Sequence, residues 1–192
     1  MGKPVRKTFR TRRERGTGGH RFEHWYVDNQ VYFITARCRD QYPAFAAEGA
    51  KAVFWDRFKQ HTENAGFVPF VVSLMDNHYH LVGYNRSAEA LERMMQRLHG
   101  SVAKLVNDLL PERRSQFWRD ARGREFFDGC IRDELQIRRA WRYTLLQAER
   151  HGICADCRDY PHTRVYLDRD RATARALELG AFMPEVPYPR YH

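Results

Sequence analysis

A chain of 192 residues, 43% hydrophobic and 30% charged, is long enough for one packed domain and too apolar to be wholly disordered. It has no run near the roughly 18 apolar residues of a membrane span, no apolar secretion core at its start, and only four cysteines, which argues against a disulfide scaffold and for a reducing cytoplasm. Lys plus Arg number 33 against 24 Asp plus Glu, a formal charge of +9 carried mostly by arginine, so a polyanion is the expected partner, with nucleic acid ahead of a membrane surface.

Residues 1–24 hold eight basic side chains and two acidic ones, +6 of that total. With Gly16, Gly18 and Gly19 behind the arginines, the segment reads as a basic arm that could order on a phosphate backbone. Residues 31–37, β-branched and aromatic, predict a buried strand. Ala52, Trp55, Phe58 and Lys59 at helical spacings predict a helix over 48–63, stopped near Gly66. Phe67 to Met75 and His78 to Gly83 read as antiparallel strands joined by a tight turn at Asp76 and Asn77.

Ser87 is a candidate N-cap for a helix over 88–110, whose apolar stripe runs from Leu91 through Met94, Met95, Leu98, Val102, Leu105 and Val106 to Leu109. Trp118 and Phe126 flank a polar turn, which suggests a short hairpin or an irregular aromatic segment. Another helix is expected over 131–150, with Ile131, Leu135, Ala140, Trp141 and Leu145 supplying contacts and Gly152 marking its end. A short helix over 169–180 and an extended or disordered tail complete the reading.

His78 and His80 carry the sharpest local signal. Two residues apart in a strand, their imidazoles face one side and can converge on a divalent cation, while Tyr79 turns away. A hydrogen-bonded strand pair is the bland alternative, and two histidines need a third protein ligand. Tyr143 and Gln147 share a helix face four residues apart, offering a phenol and a carboxamide oxygen. The plainer reading makes them an amphipathic boundary residue and a surface residue. Cys154 and Cys157 form only half a zinc site and read as structural.

MDNHYHLVG over residues 75–83 resembles the metal-binding histidine motif of the single-tyrosine HUH transposases. PFVVSL, VYFITARC, RGREFFDG and DELQIRRAWRYTLLQAERHGI resemble their neighbouring strands and tyrosine-bearing segment, in the same order over about 25–165. The most similar branch is the REP-associated tyrosine transposases. The resemblance implies a ferredoxin-like α+β fold: an antiparallel sheet of four or five strands, two main helices on one face, and Tyr143 on a helix bordering the histidines. It assigns 1–24 as the arm, 25–165 as the transposase domain and 166–192 as an extension.

It further implies His78, His80 and Gln147 as ligands of one Mg2+ or Mn2+ ion and Tyr143 as nucleophile. The family usually has Asn then Pro where this chain has Gln147 and Ala148, and often Pro where it has Asp76. The implied activity is cleavage and rejoining of single-stranded, REP-like hairpin DNA through a 5′-phosphotyrosine, with a catalytically impaired hairpin-binding protein as the alternative. Arg10, Arg12, Arg13, Arg15, Trp118, Arg119, Arg122 and Arg124 are the candidate DNA contacts. A bacterial, nucleoid-associated cytoplasmic location is expected, with a monomer slightly favoured over a dimer.

Overall fold

A computed structural model describes residues 27–119 and 125–182. Strand β1 (Gln30–Arg37) leads through a 3-10 turn into helix α1 (Glu48–Ala65). A hairpin of β2 (Val68–Leu74) and β3 (His78–Asn85) follows, then α2 (Ala88–Asn107) and β4 (Phe126–Cys130). This βαββαβ run gives the sheet order β4-β1-β3-β2 with every pairing antiparallel, which is the ferredoxin-like arrangement. A fifth strand, β5 (Thr163–Val165), extends the sheet beyond β2. Helices α3 (Glu134–Leu145), α4 (Gln147–Arg150) and α5 (Arg169–Glu178) complete the chain.

The two faces of β3 are divided between two cores. Tyr79 and Leu81 point toward α1 and α2, where Phe54, Phe58, Leu91, Met94, Leu98 and Val102 bury against them. Val82 and Tyr84 point the other way, toward Ile137 and Trp141 of α3 and Ala172 and Ala176 of α5. The expected pair of helices therefore covers one face, and α3 and α5 cover the opposite one. Residues 166–182, set apart by sequence as an extension, pack within this second core.

Local chemistry accounts for most boundaries. Gly66 ends α1 in the left-handed region at φ 63°, and its N–H donates to Glu63 and Thr62 carbonyls. Ser87 caps α2, its hydroxyl accepting from the Ala90 N–H at 3.3 Å. At Gly83 the sheet needs hydrogen as a side chain: a Cβ there would lie 2.4 Å from the Phe67 ring and 2.7 Å from the Val68 carbonyl oxygen.

Three expectations need correction. Helix α2 ends at Asn107, and Leu105 and Leu109 are exposed instead of extending the apolar stripe. The single helix over 131–150 is two segments broken at Leu146 (φ −83°, ψ 12°), and Leu135 is exposed. Trp118, proposed as a DNA contact, is a core residue. It bridges Cys38, stacks on His99 at 4.5 Å between centroids, and donates its indole N–H to the His99 carbonyl. An indole held on both its ring and its N–H has no face left for a base.

A candidate metal and nucleophile site

The site is built on the α3 side of the sheet centre. Pairing sets Thr35 beside His80 and Arg37 beside His78, and Ser73 flanks His80 from the other side. Side chains alternate along each strand, so Phe33, Thr35, Arg37, His78 and His80 share one face. His78 and His80 are buried, with ring centroids 5.0 Å apart.

Each imidazole is oriented from behind. The Asn77 Nδ2 donates to the Gln41 carbonyl at 3.0 Å, which leaves its Oδ1 to accept from His78 Nδ1 at 2.6 Å. His78 thus carries its proton on Nδ1 and has its Nε2 lone pair free for a ligand. His80 Nδ1 bonds the Thr35 hydroxyl at 2.7 Å, and its ring stacks on Phe33 at 5.8 Å. Supports of this kind hold the rings of metal-ligating histidines.

Burial, followed by the nearby Arg37 and His151, pushes His78 down to about 4. Burial and then His78, Arg37, His151 and Arg150 push His80 to about 3. Both rings are therefore neutral at pH 7, the form that can ligate a metal.

Asp133 caps α3 by accepting from Gln136 N, and Ile137, Trp141 and Thr144 form its buried face. Trp141 donates its indole N–H to the Leu167 carbonyl at 3.0 Å, tying α3 to the segment before α5. These anchors leave Tyr143 at the rim, 38% exposed and accessible to a polymer. Its ring stands edge-on to His80 at 5.1 Å and to Phe33 at 5.9 Å. The Arg150 guanidinium lies 4.6 Å above the Tyr143 ring centre.

One turn beyond Tyr143, the buried Gln147 donates its Nε2 back to the Tyr143 carbonyl at 2.8 Å. That bond holds the carboxamide beside the His78 ring, close enough to act on its proton affinity. His151 adds a third imidazole, 5.1 Å from His78 between centroids. Two neutral imidazoles with fixed Nδ1 atoms and one carboxamide oxygen are a donor set that suits a divalent ion such as Mn2+, and Mg2+ less readily.

The structure thus gathers His78, His80, Tyr143 and Gln147. Arg119 is exposed, with its guanidinium turned to the Gln116 side chain and its backbone N–H on the Arg37 carbonyl. Arg10, Arg12, Arg13, Arg15, Arg122 and Arg124 lie outside the described residues.

Sequence reasoning overlooked Phe33, Thr35, Arg37 and Arg150 at the site, and took Asn77 only as a turn residue. Alternation along β1 was the available signal for the first three. For Arg150 it was the seven-residue step from Tyr143. Cys157 groups with Glu149 and Asp156 and not with Cys154. Burial and Glu149 hold its thiol up at about 11, and the two carboxylates already bond the Cys157 and Arg158 backbone N–H groups.

No protein-family model matches the chain, and no curated protein matches it. Among solved structures, a REP-associated tyrosine transposase bound to a REP hairpin is similar with a TM-score of 0.61 at 12% identity, over 84% of this chain and 87% of that one. A candidate transposase from Deinococcus radiodurans, at TM-score 0.44 and 13% identity, covers 73% of this chain and 92% of its own. Identity this low speaks for architecture alone: the chain has the α+β fold of a REP-associated tyrosine transposase, as the resemblance of its histidine and tyrosine segments led one to expect.

Proposed function

We propose that the protein is a DNA-processing enzyme of the single-tyrosine transposase kind, which cleaves and rejoins single-stranded hairpin DNA through Tyr143. The observation that carries this reading is the edge-on approach of an exposed phenol to a buried, neutral histidine pair, 5.1 Å from His80. A core tyrosine would be covered, and a surface tyrosine would have no reason to face two oriented imidazoles.

His78, His80 and Gln147 would hold one divalent cation, which when bound draws charge from a phosphodiester oxygen and favours the phenolate. The protein's own groups do the rest. Asn77 and Thr35 keep the imidazoles aimed, Phe33 walls the site against water, and α3 presents the phenol oxygen to phosphorus. Attack by that oxygen forms a 5′-phosphotyrosine and breaks the bond to the 3′ oxygen, which leaves as a hydroxyl after taking up a proton. Attack by another strand's 3′-hydroxyl reverses the step and frees the phenol, so no external energy source is needed. The Arg150 guanidinium above the ring brings a second positive group to where the phosphate would sit.

The test is a denaturing gel of protein incubated with a single-stranded stem–loop and Mn2+. The wild-type chain should form a covalent adduct, and Tyr143→Phe should form none while still binding the DNA. An adduct that survives the substitution removes Tyr143 from the role. Cleavage with ordinary ends and no adduct would make the protein a nuclease that uses water.

A hairpin-binding protein without cleavage is the second reading, favoured by the bond that pins Gln147 to the Tyr143 carbonyl. It predicts tight binding and no adduct across Mn2+ and Mg2+ titrations.

A further inference from the structure

The charges around the site are one-sided. Arg37, half-buried beside His78, acts electrostatically on both imidazoles, and Arg150 acts on His80 from above the Tyr143 ring. Elsewhere on the surface Arg93, Arg138, Arg158 and Arg175 each meet a carboxylate. Among the described residues neither Arg37 nor Arg150 has such a partner.

The carboxylates closest in sequence to the site residues are engaged elsewhere. Asp76 pairs with Lys51 at 3.1 Å, and Glu149 accepts from the Cys157 backbone N–H. Asp128 lies opposite Ile34 and so on the other face of β4. His151, with its ring centre 5.1 Å from that of His78, brings no carboxylate either.

A cation held by two imidazoles and a carboxamide has no negative ligand to offset its charge, and two guanidiniums repel it. Those same guanidiniums have their donors free for an anion. We propose that Arg37 and Arg150 make metal and DNA binding interdependent, with the scissile phosphodiester supplying the negative charge that the ion and both arginines share. The inference rests on the donor set of the proposed function, but it concerns binding and not cleavage. It makes the DNA-free protein a weak metal binder and the loaded metal a sign that a phosphate is seated.

By linkage, DNA must raise the affinity for the ion by the same factor as the ion raises the affinity for DNA. The experiment uses full-length Tyr143→Phe protein, Mn2+ and a short DNA stem–loop with a single-stranded flank. Mn2+ affinity is read by electron paramagnetic resonance of the free ion, and DNA affinity by anisotropy. Each should rise by about tenfold or more in the presence of the other, within the usual span of such couplings.

Arg37→Gln, added to that protein, should raise the Mn2+ affinity of the DNA-free form and lower DNA affinity in Mn2+, two effects of opposite sign. Loss of structure would lower both, and the exposed Arg150→Gln variant repeats the test where the fold is not at stake. Equal Mn2+ affinity with and without DNA overturns the proposal, as does a fall in DNA-free Mn2+ affinity in both arginine variants. Failure of the enzyme reading looks different: the wild-type chain forms no adduct while the coupling in Tyr143→Phe persists.

Discussion

Burying two histidines side by side commits them to a protonation state. Their ordinary value is near 6.5, and in the fold burial takes them to about 4 and about 3, so the native state binds fewer protons than the unfolded chain. Stability is then complete above about pH 6.5 and declines as pH falls toward the folded values. By pH 5 each ring should cost about 2 kcal/mol, read as a lower urea midpoint for the metal-free protein than at pH 7. His80→Gln should remove close to half of that difference. A midpoint that is flat between the two pH values would mean the rings are solvated.

The pair was visible in the sequence because its spacing of two matches the strand repeat. Asn77 and Thr35, which orient the rings, were not visible as supports. Their role depends on Gln41 and on strand pairing, neither of which leaves a mark at a fixed distance along the chain.

Strands and helices follow their periodic patterns closely in the first half of the chain. The helix over 48–63 begins at Glu48 and runs two residues longer, and the histidine strand extends from Gly83 to Asn85. Gly83 shows why the hairpin closes tightly: Phe67 fills the space that any side chain would take. Gly83→Ala should destabilise by about 1–3 kcal/mol through overpacking, seen as a lower Tm, with the larger figure holding if Val68 cannot shift. An unchanged Tm would show that the Phe67 ring swings aside freely.

The break at Leu146 was hidden because Ala148, Glu149 and Arg150 are all compatible with a continuing helix. At the break the Gln147 side chain donates to the Tyr143 carbonyl one turn back, a local bond that apolar periodicity does not register. Trp118 misled for a related reason. Arginines surround it in sequence, but long-range contacts with Cys38 and His99 decide its place.

At the scale of the molecule, most of the net charge lies apart in sequence from the residues that pack. The buried clusters carry the apolar residues, while +6 of the +9 lies in residues 1–24. If that segment tracks a DNA backbone, replacing Arg10, Arg12, Arg13 and Arg15 with Ser should flatten the plot of log affinity against log salt. The slope should fall by up to about 3, at about 0.7 per phosphate of a single strand. An unaltered slope would assign DNA contact to residues outside that segment. No helix among the described residues is long and apolar enough to cross a membrane.

Strand β3 serves two masters by parity, sending Tyr79 and Leu81 into one interior and His78 and His80 toward the opposite surface. A one-residue slip of β3 against β1 and β2 would exchange these roles at once, turning the imidazoles into the α1–α2 interior and Tyr79 and Leu81 toward α3. The pairing register of β3 is therefore fixed from both faces, since either interior rejects the side chains meant for the other.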